Sequence, residues 1–286
     1  MDLTARPWRS VLYIPGSKPR ALDKARGLAA DAIIFDLEDA VTPDEKATAR
    51  ATLVEALRVG GFAPRARLVR INALETGWGR DDAAALAGLE LEGVLLPKVA
   101  GPAQLDALAA LIPNVPLWAM MESPLGVLNA GAIAAHSRLA GLVMGTNDLA
   151  KDLGCDGGGD RAALQMALQT ALLAARAYGR VCVDGVYNAF RDEEGLRAEC
   201  AQGTALGFDG KTLIHPAQLE IANAAFAPAP EALELARRQI AASREAAAQG
   251  EGVAVVDGKI VENLHVVMAR RLLDRAAAIA EMEAAQ

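Results

Sequence analysis

Two carboxylates stand at the ends of apolar runs one strand-helix unit apart, and they are the first residues in the chain whose type and spacing suggest chemistry. Residues 117–121 read Leu-Trp-Ala-Met-Met, fit for a buried strand, and Glu122 follows directly. Residues 141–144 read as the next buried strand, and Gly145-Thr146-Asn147-Asp148 delivers a second acid just beyond it. An ionised carboxylate there is costly to desolvate unless a cation meets it. Two of them at adjacent strand ends suit a hard divalent metal. Mg²⁺ commonly takes one or two protein carboxylates and fills its other positions with water and substrate oxygens. The alternative is a pair of structural roles, with Glu122 bound to an arginine and Asp148 capping the following helix.

Other polar residues fall at the ends of other apolar runs. Residues 10–14 form a short strand that runs into Pro15-Gly16-Ser17-Lys18-Pro19-Arg20, a turn with two cations. Residues 31–37 read as a strand with a strongly acidic end, Asp36, Glu38 and Asp39, and residues 67–71 as a strand that presents Arg70 and Asn72. Arg70, permanently cationic and fork-shaped, suits the stabilisation of substrate oxygens. Asn72 and Ser123 can donate to a substrate or close turns. Strands over 93–96, 180–183 and 207–214 end in Pro97-Lys98, Asp184 and His215-Pro216, with His215 read as a structural hydrogen-bonding residue.

The elements that must position these residues alternate. Helices are predicted over 20–30, 43–59, 81–89, 102–111, 126–135, 161–178 and 195–206, with Thr42 and Pro43 opening the second and a Gly-rich loop over 150–160. Eight short strands, each followed by a helix-compatible stretch, make the pattern of a (β/α)8 TIM barrel. Their continuous apolar character fits strands buried on both faces. A doubly wound sheet competes, but no GxGxxG follows the first strand, and polar residues sit at many strand ends, as a barrel's shared mouth requires. The barrel takes residues 1–227. Residues 228–286 form a C-terminal helical extension: a helix over 231–249, a short stretch over 253–260 with a turn signal at Asp257-Gly258, and a last helix over 261–282, together a lid or swapped arm.

Composition narrows the function classes. A formal charge of −7 and a pI near 5.1 leave no nucleic-acid footprint. No run approaches 18 apolar residues and the opening residues lack a signal peptide's apolar centre, so no membrane span and a cytoplasmic location are expected. Cys155, Cys182 and Cys200 show no CxxC spacing, and the three histidines form no HExxH. The absence of GxSxG disfavours a serine hydrolase.

Seven segments taken in order carry a resemblance: Ser-Val-Leu-Tyr-Ile-Pro-Gly at 10–16, Phe-Asp-Leu-Glu-Asp-Ala-Val at 35–41, Val-Arg-Ile-Asn at 69–72, Leu-Pro-Lys at 96–98, Met-Glu-Ser-Pro at 121–124, Gly-Thr-Asn-Asp-Leu at 145–149 and Gly-Lys-Thr-Leu-Ile-His-Pro at 210–216. Over nearly its full length the chain resembles the citrate lyase beta subunit-like proteins of the HpcH/HpaI aldolase superfamily. That group includes malyl-CoA, methylmalyl-CoA and citramalyl-CoA lyases and malyl-CoA thioesterases. The resemblance implies Mg²⁺ on Glu122 and Asp148, a small substrate's carbonyl or carboxylate on Arg70, and coenzyme A near Tyr13, Lys18 and Arg20. Glu38 and Asp39 would meet the metal through waters or orient its ligands, with pairing to Arg70 or Lys98 as the alternative. It also implies a homo-oligomer, trimer or hexamer, in which the tail of one subunit covers a neighbour's site and supplies an acid as base. That acid aligns with Glu262, a glutamate where the family usually has aspartate; Asp257, five residues earlier, is the other candidate.

The expected activity is that of a Mg²⁺-dependent carbon-carbon lyase on a CoA thioester such as malyl-CoA. Loss of the substrate hydroxyl's proton to the base breaks the adjacent C–C bond, giving glyoxylate and acetyl-CoA or propionyl-CoA. The alternatives are a (3S)-malyl-CoA thioesterase releasing malate and CoA, and a citrate lyase beta-like protein acting on citryl-CoA or an acyl carrier thioester. A metal-free CoA-binding or assembly subunit is the non-enzymatic reading.

Overall fold

Each of the eight apolar runs pairs with the next in parallel, and the last returns to the first. In the computed structural model, which describes residues 3–250 and 252–286, β1 (Ser10–Pro15), β2 (Ala32–Asp36), β3 (Ala66–Arg70), β4 (Gly93–Leu96), β5 (Leu117–Met121), β6 (Leu139–Met144), β7 (Val181–Asp184) and β8 (Gly210–Leu213) form a closed barrel. Closure is made by β8 on β1, with Ser10, Val11 and Leu12 opposite Lys211, Thr212 and Leu213. The surrounding helices are α1 (Pro19–Ala25), α2 (Lys46–Val59), α3 (Gly79–Leu86), α4 (Pro102–Leu111), α5 (Pro124–Leu128), α6 (Ala130–Ala134), α7 (Thr146–Leu153), α8 (Gln165–Ala177), α9 (Glu193–Leu206) and α10 (Leu219–Ala225). This is the (β/α)8 barrel expected from the alternation.

Most of the strands are largely apolar because they bury both faces in different cores; β8, Gly-Lys-Thr-Leu, is the exception and buries Lys211 against Asp184 and Glu199. Val11, Ala32, Ile34, Ala66, Leu68, Trp118 and Met120 fill the barrel interior, while Leu12, Ile33, Phe35 and Val69 pack outward under the helices. Trp118 sets the interior's layout. A Cβ on Gly93 would meet its ring at 2.2 Å and one on Gly141 at 2.3 Å, so glycine on both neighbouring strands makes room for the indole. Trp8 packs against it from below, ring centroids 4.7 Å apart.

Several boundaries differ from expectation for local reasons. The helix predicted over 126–135 is two short helices broken at Asn129, whose side chain donates to the Ala100 carbonyl at 2.7 Å. The loop predicted from residue 150 starts later, because α7 continues to Leu153 and is ended by Gly154 in the left-handed conformation. The helix predicted to end at residue 30 stops at Ala25. Helix α10 was not anticipated.

The extension comprises α11 (Pro230–Ala248), an antiparallel hairpin of β9 (Ala254–Val256) and β10 (Lys259–Val261), and α12 (Asn263–Ala285). A small core of its own includes Ala236, Ile240, Ala254, Val261 and Val266. Its far end is moored at the base of the barrel. Arg9, just before β1, holds Glu283 at 2.8 Å, Arg275 donates to the Asp209 carbonyl before β8, and Gln286 donates to the Ala30 carbonyl before β2. The hairpin and the start of α12 leave Val255, Ile260, Leu264 and Met268 exposed. Among the described residues, no helix is long and apolar enough to cross a membrane.

Candidate active site

Strand parity decides which strand-end residues meet. The side chains that point into the barrel from β2 are Ala32 and Ile34, and the next in phase is Asp36; from β3 they are Ala66 and Leu68, then Arg70; from β5, Trp118 and Met120, then Glu122 just past the strand. Asp36 and Arg70 are also register partners. Asp184, out of phase on β7, faces outward instead and is buried against Arg161 and Lys211. A cavity of about 370 Å³ at the carboxyl ends of the strands is lined by Tyr13, Asp36, Asp39, Arg70, Glu122 and Asp148, among others.

Arg70 is the hub of one side. Its Nε and Nη2 donate to the two Asp36 oxygens, both at 2.7 Å, a bidentate pair buried at the mouth. Its Nη1 lies 2.9 Å from Glu38 and 3.5 Å from Asp39, and the guanidinium stacks 4.9 Å from the Tyr13 ring centroid. Burial opposes the charge on Arg70, but Tyr13 and the Asp36 and Glu38 carboxylates outweigh it and hold its pKa well above the usual value. Glu38 goes the other way. Burial pushes its carboxyl up to about 7, against the pull of Arg70 and with help from Asp39, Glu122 and Asp36. Its Oε2 is buried without a hydrogen bond, close to Arg70 but out of line.

Glu122 and Asp148 form the other side. Glu122 is 2% exposed and its Oε1 accepts the Lys98 amide at 2.7 Å. Burial raises its pKa even though Lys98 and Arg70 pull against it. Asp148 sits in the first turn of α7, not on the strand end, and touches the Lys98 ammonium. That ammonium is also 3.6 Å from Glu122 Oε1, so the two acids share one cation. The expected arginine partner of Glu122 is therefore replaced by this lysine. Five carboxylates (Asp36, Glu38, Asp39, Glu122 and Asp148) surround the mouth with three cations, Arg70, Lys98 and the buried Lys46 behind Glu38. With all of them ionised, two negative charges are left over.

The structure brings Tyr13, Arg70, Asp39, Glu122 and Asp148 together around the cavity, with Glu38 behind Arg70. Lys18 and Arg20 are exposed on the turn after β1 and outside the cavity lining, with Lys18 4.0 Å from Glu45. Glu262 is not brought in. It is the residue before α12, its amide donates to His265 Nδ1 at 3.0 Å, and no described residue of the extension lines the cavity. Asp257 is held at the hairpin tip by Arg238, whose paired donors at 2.6 and 2.8 Å lower its pKa. Asn72 and Ser123 serve turns: Asn72 donates to the Leu37 carbonyl and to Asp82, and Ser123 accepts from the Gly126 amide. His215 accepts the Ala217 amide, as a structural histidine does.

Three contributors were missed. Asp36 was read only as part of an acidic strand end; counting parity along β2 would have turned it inward. Lys98 stands in the sequence only as a strand-end cation, with no sign of its two contacts to the acid pair. Paired amides of Asn147 and Asn188, at 2.8 and 3.3 Å, tie the first turn of α7 to the loop after β7.

A parallel eightfold barrel with an acidic mouth built around one arginine defines a class of enzyme scaffolds. Within it, the structure resembles CitE from Mycobacterium tuberculosis, solved in complex with magnesium, acetoacetate and coenzyme A, with a TM-score of 0.80 and 34% identity over 96% of this chain and 100% of that one. The sequence pattern of the HpcH/HpaI aldolase/citrate lyase family matches residues 9–216, and the chain belongs to that family. A (3S)-malyl-CoA thioesterase of Cereibacter sphaeroides is 64% identical over 98% of both chains. An L-malyl-CoA/beta-methylmalyl-CoA lyase of the same species is 35% identical over 95% of both. These two values correct the expectation of a carbon-carbon lyase: the full-length likeness runs to the hydrolase, and the lyases stand much further off. The sequence motifs could not separate the two because the resemblance they carry covers both groups.

Proposed function

We propose that the chain is a thioesterase that hydrolyses (3S)-malyl-CoA to malate and coenzyme A. The observation that carries this reading is the full-length similarity to a (3S)-malyl-CoA thioesterase. The mouth supports it chemically. The acidic mouth, and a protein cation already seated between Glu122 and Asp148, suit a divalent ion. Mg²⁺ commonly takes one or two protein carboxylates and completes its shell with water and substrate oxygens.

Glu122 and Asp148 would hold Mg²⁺, an ion with which the CitE relative was solved in complex. When bound, the ion supplies Lewis-acid polarisation and a template for the substrate's oxygens. Arg70 spends two of its five N–H groups on Asp36, and its Nη1, which faces Glu38 without a hydrogen bond in line, would turn to substrate oxygens. Its charge stabilises the oxyanion that forms when water adds to the thioester carbonyl. Tyr13, whose hydroxyl burial keeps protonated, braces the guanidinium face. The water's proton goes to a carboxylate, the C–S bond breaks, and the thiolate leaves as free coenzyme A once protonated. Glu262 of a neighbouring subunit supplies that carboxylate. Its own chain's extension is moored at the opposite end of the barrel, and the exposed apolar residues around it suit an oligomeric contact.

The test is the isolated protein with Mg²⁺ and malyl-CoA, with free thiol and glyoxylate followed separately. Thiol without glyoxylate is the expected result. Glyoxylate without thiol overturns the reading.

A further inference from the structure

Lys98 joins the two halves of the acid pair through two different groups. Its backbone is in the left-handed region, φ 54°, which is strained for a side chain of this kind. That conformation aims the Lys98 amide at Glu122 Oε1, and Gln104 clamps the same segment by donating to the Lys98 carbonyl at 3.2 Å and accepting the Ala100 amide at 2.6 Å. The side chain is free by comparison. It is 43% exposed, on a flexible four-carbon stem, and its ammonium rests against Asp148 and within 3.6 Å of Glu122.

We propose that Lys98 is a positioning residue with separable parts: the amide fixes Glu122, and the ammonium is a built-in counter-ion that a divalent cation must displace from the acid pair. The proposal rests on the reading of Glu122 and Asp148 as the divalent-ion ligands. A monovalent ammonium and a divalent ion cannot occupy the same few ångströms between the same oxygens, because their repulsion at that range is large in a partly buried site. The ammonium can swing into the open mouth, whereas the amide cannot move without remaking the strained turn. The cost of displacement weakens the protein's affinity for the ion and leaves a mobile cation at the rim of the cavity whenever the ion is bound.

The probe is Mn²⁺, titrated against the full-length protein by electron paramagnetic resonance at fixed pH and without substrate. Lys98→Met keeps the stem and removes the charge, and Lys98→Gly keeps the left-handed amide. Both are expected to bind Mn²⁺ more tightly than the wild type, about tenfold, within the usual range of coupling between two sites. Equal or weaker binding by the variants overturns the proposal. Should either variant fail to fold, the unmodified protein gives the same answer. Reductive methylation of Lys98, followed by peptide mass spectrometry, should speed up on adding Mg²⁺, and an unchanged rate overturns it. Glu122→Gln and Asp148→Asn separate the two readings. If both retain wild-type Mn²⁺ affinity, the metal-ligand assignment itself fails. If both lose it while the Lys98 variants bind no more tightly, only the displacement fails.

Discussion

Glu122 lies flush against Gly145 of the adjacent strand end: a Cβ on Gly145 would stand 2.4 Å from the Glu122 Cβ and 2.6 Å from its Oε2. The glycine is what lets the buried acid and the start of α7, with Asp148 on it, occupy neighbouring places.

Gly145→Ala therefore pushes Glu122 off the Lys98 amide without adding or removing a charge. Displacements near 1 Å at a reacting centre cost roughly 10²-fold. A loss of thioester hydrolysis of that order is expected, with weakened Mn²⁺ binding and an unchanged circular dichroism spectrum. Full activity in this variant would show that Glu122 need not sit where it does.

Arg70→Lys keeps the charge and loses the fork. Asp36, 1% exposed, would exchange a bidentate partner for a point charge unable to satisfy both oxygens. Breaking a buried pair costs about 3–5 kcal/mol, and the lysine recovers only part of it. Urea denaturation should show a loss of stability on the order of 2 kcal/mol, together with a sharp fall in hydrolysis. Stability equal to wild type would mean that the Asp36 pair contributes nothing to the fold.

Glu38 makes stability depend on pH in the less common direction for a carboxylate. Its folded pKa of about 7 lies above the ordinary 4.5, so between those values the folded state holds the proton more tightly than the unfolded one. Stability attached to this group is complete below about pH 4.5 and falls as pH rises through 7. Glu38→Gln, which stays neutral, should raise Tm relative to wild type at pH 8 by several degrees and change it little near pH 4, with both proteins kept in chelator. A constant difference across that range would place the pH dependence elsewhere.

If Glu262 completes a neighbour's site, two inactive proteins can rescue each other. Asp148→Asn lacks one acid of the barrel mouth, and Glu262→Gln lacks the base. Mixed and allowed to exchange subunits, they should recover roughly a quarter of wild-type hydrolysis, because some sites then combine an intact mouth with an intact tail. No recovery, with exchange verified by mass spectrometry, would leave Glu262 outside the site.

Much of this was legible in the order of residues. Most of the strands could be found because they are apolar on both faces, β8 with its buried Lys211 being the exception, and the strand-end positions of Glu122 and Arg70 followed from them. The hairpin turn at Asp257-Gly258 was read from its residue types and is present between β9 and β10. Helix ends were less visible because they depend on contacts distant in sequence, such as Asn129 reaching Ala100. The Lys98 contacts were invisible for the same reason: a left-handed turn at a lysine has no signature in residue type. The choice between lyase and thioesterase was out of reach because it is not made by the motifs that identify the barrel.

The mooring of α12 has a practical corollary for handling the protein. Its last turn is tied to the barrel floor through Glu283 and Gln286, so an affinity tag fused after Gln286 presses directly on those ties. The same rigid rod begins at Asn263, next to Glu262, and spans about 34 Å for its 23 residues. A disturbance at a handle fused there thus has a stiff route to Glu262, the residue proposed above to serve a neighbouring subunit's site.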